Sequence, residues 1–181
     1  MKHGVFIERD GVLNQAAIKG RREVSPRAFR EFNLKVEVVP LLNELKAAGL
    51  VLIVTTNQPG LSCGSLLLRE LDRMHELLCE TFPIDDILVC PHGELDRCTC
   101  RKPKPGLLIE GARKWDLNLS RSFLISNKWQ DAEAAQKAGV TSLLLDSPWL
   151  GEMHHDFVFP DLAILIEKVL QLSTPKSIAL V

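Results

Sequence analysis

The 181-residue chain has no tyrosine, three tryptophans and seven phenylalanines, so aromatics make up only 6% of it. That leaves little from which to build the aromatic and basic surface that stacks on nucleic-acid bases. Neither sign of charge is in excess: 22 Lys and Arg stand against 23 Asp and Glu, a formal net charge of −1, and the pI is about 6.5. A nucleic-acid binder usually carries a basic surplus, so no nucleic-acid partner is expected. No apolar run is long enough to span a bilayer, and no membrane partner is expected either. The N-terminus lacks the basic, apolar and cleavage regions of a signal peptide, so a cytoplasmic protein is expected. Repeats and low-complexity tracts are missing. Five cysteines, an odd number, argue against a fully paired disulfide framework.

What is present suits one α/β domain with a sizeable core. Five compact apolar runs read as strands: Gly4 to Ile7, Leu50 to Thr55, Ile87 to Cys90, Phe123 to Ser126 and Ser142 to Leu145. Compact rather than alternating runs fit strands buried on both faces of a mostly parallel sheet. Helices fall between them. Pro40 starts one that carries Leu41, Leu42, Leu45 and Ala48 and stops at Gly49. Leu67, Leu71, Met74 and Leu78 form the apolar stripe of a second. Pro105 starts a third, Asp131 to Ala138 makes a fourth, and Asp161 to Leu172 the last. Strand–helix alternation of this kind predicts an open, Rossmann-like sheet with its ligand at the C-terminal strand ends. Residues 15–36 are polar and read as an excursion between the first strand and first helix. The expected domain is 1–172, with 173–181 a loose tail.

The most informative stretch is Val5 to Asn14. A buried strand, Val5-Phe6-Ile7, breaks into Glu8-Arg9-Asp10-Gly11. Three more polar segments lie at or beyond strand ends: Thr56-Asn57-Gln58-Pro59-Gly60, Arg101-Lys102-Pro103-Lys104-Pro105-Gly106 and Ser126-Asn127-Lys128-Trp129-Gln130-Asp131. In a doubly wound sheet these ends share one crevice. It would then hold carboxylates, a hydroxyl, amides and cations, an inventory suited to phosphoryl chemistry. A separate cluster, Cys90-Pro91-His92 and Cys98-Thr99-Cys100, offers three sulfurs and one imidazole. That is a donor set for a tetrahedral, closed, structural Zn²⁺ site. Cys63 and Cys79 read as small buried hydrophobes.

With these motifs in order over about residues 4 to 147, the chain resembles the haloacid dehalogenase superfamily, in the branch of heptose bisphosphate and histidinol-phosphate phosphatases. The resemblance implies a Rossmann-like domain with a minimal loop cap that includes a zinc loop. It implies Mg²⁺, a phosphosugar substrate and hydrolysis through an acyl-phosphate; a monomer is expected. It makes position 8 the nucleophile, Asp10 the general acid/base, and Thr56, with Asn57 beside it, a phosphate contact. Arg101 and Lys102 would neutralise phosphate charge, Lys128 would approach it, and Glu8, Asp10, Asn127 and Asp131 would form the Mg²⁺ shell. The family also carries a zinc loop where Cys90, His92, Cys98 and Cys100 stand, directly before Arg101.

Two positions depart from the pattern. Glu8 replaces the nucleophilic Asp, and its extra methylene moves the carboxylate by about 1 Å, enough to cost on the order of a hundredfold in rate. Asn127 replaces a metal-binding Asp, and an amide brings no charge to a hard cation that favours carboxylates. Glu8 therefore reads as a displaced working nucleophile, as a relic in an inactive phosphate-binding site, or as an engineered substitution. The function expected is a sugar bisphosphate phosphatase with weakened turnover and weakly held Mg²⁺. The alternatives are a non-catalytic phosphosugar-binding or regulatory protein, a histidinol-phosphate phosphatase and a polynucleotide phosphatase. Gly60 to Gly64 reads equally as a pocket loop or a plain connection. The basic run Lys19 to Arg22 is expected to be an exposed loop. His75 is expected to be packed, and His154 and His155 have no assigned role.

Overall fold

All five expected strands lie in one parallel sheet, and a sixth extends it. The computed structural model describes residues 1–20, 22–152 and 154–174. In chain order the strands are β1 (Gly4–Glu8), β2 (Asn14–Gln15), β3 (Ala17–Lys19), β4 (Arg22–Val24), β5 (Asn33–Leu34), β6 (Val51–Asn57), β7 (Asp86–Cys90), β8 (Phe123–Ser126), β9 (Thr141–Leu145) and β10 (Phe157–Phe159). The helices are α1 (Val39–Ala47), α2 (Leu68–Thr81), α3 (Gly106–Trp115), α4 (Trp129–Ala138) and α5 (Leu162–Ser173). The sheet order is β10-β9-β8-β1-β6-β7, with every neighbouring pair parallel.

Side chains alternate across the sheet and so build two cores. Val5, Ile7, Leu52, Val54 and Ile125 pack on one face against Leu42 and Leu45 of α1, Leu71, Met74 and Leu78 of α2, and Leu165, Ile166 and Val169 of α5. Phe6, Ile53, Leu88 and Leu124 face the other way, against Leu107, Leu108 and Ala112 of α3 and Ala134 and Ala135 of α4. Burial on both faces is why these strands read as unbroken apolar runs.

Several expectations need correction. Leu67 is half-exposed and precedes α2, so the buried stripe is Leu71, Met74 and Leu78. Cys63 and Cys79 are exposed rather than buried: Cys63 lies in the loop after β6, and Cys79 lies on the outer side of α2. The excursion at 15–36 carries short antiparallel pairings, β2 with β5 and the β3–β4 hairpin. The edge strand β10 escaped notice because it is three residues long and only partly buried. The helix at the C-terminus runs to Ser173, and from residue 175 the expected tail lies outside the described residues. Among those residues no helix is long and apolar enough to cross a membrane.

Candidate active site

Chain reversal in sheet order happens around β1. The chain first adds β6 and β7 on one side of β1, then returns to add β8, β9 and β10 on the other. Such switch points are where open α/β sheets bind ligands. Register sets the level: Glu8 pairs with Thr55, and Ile7 with Ile125. Glu8, Thr56 and Asn127 therefore emerge from adjacent strands within about one residue step.

Glu8 is buried, and both its oxygens are occupied. Oε1 accepts from the Asp10 backbone N–H at 3.1 Å, and Oε2 accepts from the Lys102 ammonium. Lys102, itself buried, also donates to Asp131 Oδ1 at 2.6 Å and to the Thr55 carbonyl at 3.1 Å. Its three N–H bonds are thus all used. Burial pushes the Glu8 carboxyl up, but the ammoniums of Lys102 and Lys128 outweigh it and hold the group below its ordinary range. Asp131 goes the other way, to about 6, because burial outweighs the pull of Lys102 and the charge on Glu8 adds to the rise. The Lys102 loop is fixed by Asn57, whose Nδ2 donates to the Lys102 carbonyl at 3.1 Å and whose Oδ1 accepts from the Lys102 N–H at 3.2 Å. Asn57 therefore serves the position of Lys102. The Arg101 guanidinium is held by the His92 carbonyl at 3.2 Å.

Asp10 collects donors from three elements. Arg9 pairs with it through Nε and Nη2, each at 3.1 Å. Ser25 Oγ donates to Oδ2 at 2.7 Å, and Gln58 Nε2 donates to the same oxygen at 3.0 Å. Gln58 Nε2 also donates to Thr56 Oγ1 at 2.8 Å, which ties the phosphate-contact candidate to the acid/base candidate. Burial would raise Asp10, but Arg9 and Lys128 overcome it and hold the carboxyl at about 2.

The third group surrounds Lys128. Its ammonium donates to the Asp10 backbone carbonyl at 2.9 Å. It lies 3.4 Å from Glu8 Oε1 and 3.2 Å from Glu23 Oε2. Asn127 Nδ2 donates to Glu23 Oε1 at 3.3 Å, while Asn127 Oδ1 is buried without a hydrogen-bond partner. Gly11 makes this possible. Its φ is +91°, and a Cβ there would strike Glu23 Oε1 and lie 2.5 Å from Asn127 Nδ2.

The Cys/His cluster lies beside the Lys102 loop. Cys90 Sγ is 3.8 Å from Cys98 Sγ and 3.2 Å from Cys100 Sγ. His92 Nδ1 is 3.6 Å from Cys90 Sγ and 3.3 Å from Cys100 Sγ. A tetrahedron with metal–sulfur bonds of about 2.3 Å has sulfurs about 3.8 Å apart. All four donor atoms lie within 4.8 Å of one another, so this cluster can hold a metal ion. The Arg101 N–H donates to Cys98 Sγ at 3.3 Å, a bond that joins the cluster to the cationic loop.

A family model described as HAD-hydrolase-like matches residues 99–163. A D-glycero-beta-D-manno-heptose-1,7-bisphosphate 7-phosphatase of Helicobacter pylori is 33% identical over 78% of this chain and 81% of that protein. The chain belongs to this phosphatase family, within the haloacid dehalogenase superfamily. The bifunctional histidine-biosynthesis protein HisB of Legionella pneumophila is 30% identical over 84% of this chain but only 44% of that protein. The crystal structure of the D,D-heptose 1,7-bisphosphate phosphatase of B. bronchiseptica, complexed with magnesium and phosphate, superposes with a TM-score of 0.79 at 28% identity, over 94% of this chain and 99% of that one.

Against the heptose bisphosphate phosphatase pattern, every motif position named from the sequence lies at this strand edge or in the loop beside it. Glu23 and Ser25 were not legible, because they sit in a polar segment without periodicity and reach the site only through the β3–β4 hairpin. Of the basic run beside them, Lys19 is exposed and Arg21 lies outside the described residues. Arg9 was overlooked as well. It is fully buried, its guanidinium lies 5.3 Å from the Phe32 ring centroid, and Nη1 is 3.1 Å from His75 Nε2.

That last contact sets a pH dependence. Arginine can only donate, so His75 Nε2 accepts and the ring is neutral. Burial first, then the Arg9 charge, lowers His75 from 6.5 to about 4, against a smaller opposing pull from Asp10. The unfolded chain binds this proton more readily than the folded one. The contribution is therefore complete above about pH 6.5 and is lost as pH falls toward 4, by on the order of 2–3 kcal/mol. Urea unfolding at pH 7 and pH 4.5 should show a smaller acid loss for His75→Gln than for wild type. Equal losses would disprove the assignment.

Proposed function

We propose that this protein keeps the phosphosugar pocket of the heptose bisphosphate phosphatases and hydrolyses phosphomonoesters slowly. The observation that carries this reading is the convergence of Glu8, Thr56, Lys102 and Asp131, all from one chain, at the C-terminal edge of β1, β6 and β8. Thr56 Oγ1 and the cationic loop would bind the phosphate. Glu8 would attack phosphorus, and Asp10 would handle the proton of the leaving alcohol. Two features slow that sequence. The Glu8 carboxylate sits on a longer arm than the family's Asp, and a displacement of about 1 Å at a reacting atom costs on the order of a hundredfold. Asp10, held at about 2, is ionised across the neutral range, a state suited to accepting a proton rather than giving one.

The donors present fit a divalent cation. Asn127 Oδ1 and Asp131 Oδ2 are buried oxygens with no hydrogen-bond partner, and the Lys128 ammonium stands in as a positive group against Glu8 Oε1 and the Asp10 carbonyl. Glu8, the Asp10 carbonyl, Asn127 and Asp131 would hold Mg²⁺, which when bound neutralises phosphoryl charge. We assign the Cys90, His92, Cys98 and Cys100 cluster as a structural Zn²⁺ site, since four protein donors leave no open position.

Calorimetric titration with heptose 1,7-bisphosphate tests the pocket. Wild type should bind saturably, and Thr56→Val, which deletes one hydroxyl at nearly constant volume, should bind about tenfold more weakly. A wild-type titration without saturation would remove the reading.

A further inference from the structure

Relative to the family pattern, the substitution at position 127 removes one negative charge from the cation site. The structure places a different carboxylate beside the deficit. Glu23 comes from β4, across the hairpin, and its side chain is only 10% exposed. Its Oε1 accepts from Asn127 Nδ2 at 3.3 Å. Its Oε2 is 3.2 Å from the Lys128 ammonium, the same group that touches the Asp10 carbonyl and Glu8 Oε1. Three oxygens from two segments, the end of β1 and the hairpin, thus surround one positive group.

Further observations point to a ligand in this site, whose acids also include Asp131 on the Lys102 side of Glu8. Asn127 is 7% exposed and Asp131 1%, yet Asn127 Oδ1 and Asp131 Oδ2 have no hydrogen-bond partner. Leaving two such oxygens buried and unpaired is costly. Gly11 leaves the space that Glu23 Oε1 and Asn127 Nδ2 fill, so the approach of the hairpin carboxylate is built into the loop after β1.

We propose that Glu23 is a ligand of the divalent cation and replaces the charge missing at Asn127. The site then holds Glu8, the Asp10 carbonyl, the Asn127 amide oxygen, Asp131 and Glu23, and the Lys128 ammonium is the group a bound cation displaces. Carboxylate number is a main determinant of affinity for a hard cation, so moving the charge from residue 127 to residue 23 preserves binding while recruiting the hairpin. A second consequence is that cation binding pins the β3–β4 hairpin over the pocket.

This inference rests on the phosphosugar-pocket reading for the location of the cation, but its test needs no substrate. Mn²⁺ alone, titrated into the full chain and followed by the loss of the free-ion paramagnetic resonance signal, should bind at one ion per chain. Glu23→Gln should weaken that binding about tenfold or more. Glu23→Gln combined with Asn127→Asp should restore it, because the charge returns at the original position. A hairpin needed only for packing would not be rescued in this way. Wild type that takes up no Mn²⁺ at millimolar metal, a Glu23→Gln variant that binds like wild type, or a failed rescue would each overturn the proposal. Loss of phosphosugar binding with this Mn²⁺ pattern intact would overturn only the earlier reading.

Discussion

Replacing Glu8 with Asp and Asn127 with Asp together should raise phosphate release from heptose 1,7-bisphosphate by about a hundredfold or more in Mg²⁺. The gain comes from geometry first. Glu8 is clamped by Lys102, by the Asp10 N–H and by Lys128, so its carboxylate cannot swing back by the length of one methylene without breaking those contacts. Asp at this position shortens the arm and lets the carboxylate sit where the family places it. The second substitution adds charge at the cation site. Glu8→Asp alone should recover most of the rate and Asn127→Asp alone little, because Glu23 already supplies a carboxylate 3.3 Å from Asn127. Phosphate release measured across the four proteins decides it. A wild type as fast as the double variant would mean that Glu8 is a competent nucleophile as it stands.

Removing the metal from the Cys/His cluster should unmake the loop that presents Arg101 and Lys102. Purified protein should carry one zinc per chain, and Cys98→Ser should lose it. Burial and the neighbouring thiols push Cys90 up to about 12, so without metal this cysteine is a neutral thiol and loading releases its proton. In an isolated finger a structural zinc decides whether the peptide folds. Here the cluster lies at and beyond the end of the edge strand β7 of a sheet with its own cores, and the expected cost is a melting temperature lower by on the order of 5–10 °C. Phosphosugar binding should weaken as well, since the Arg101 N–H donates to Cys98 Sγ and its guanidinium to the His92 carbonyl. Asn57 keeps a separate hold on Lys102, so Cys98→Ser should disturb Arg101 more than Lys102. Metal analysis, a thermal melt and a titration of both proteins check these three outcomes. Full zinc retention in Cys98→Ser would dismiss the cluster as a closed site.

The central strands were legible because burial on both faces writes a continuous apolar run, and each run ends where polar residues begin. The same physics exposed Glu8, Thr56 and Ser126-Asn127, which lie within a step or two of those ends. The cysteine cluster was legible from its donor set together with the family's zinc loop at the same place. What stayed hidden was side chains that travel. Arg9 sits between two acids in a polar motif, yet it is fully buried and joined to His75 of α2. Cys79 looks like its buried neighbours in the sequence, but it falls on the outer side of α2.

The order of residues along the chain determined a phosphate-handling α/β domain of this family, together with an overlong acid and an uncharged amide in its central site, because strand ends carry their chemistry locally. Only the folded molecule decided that Glu23, from a hairpin with no sequence signature, faces Asn127 and stands beside the Lys128 ammonium. Its position depends on a two-stranded turn packing over the sheet edge and on the room left at Gly11. Neither of those is written in the neighbourhood of residue 23.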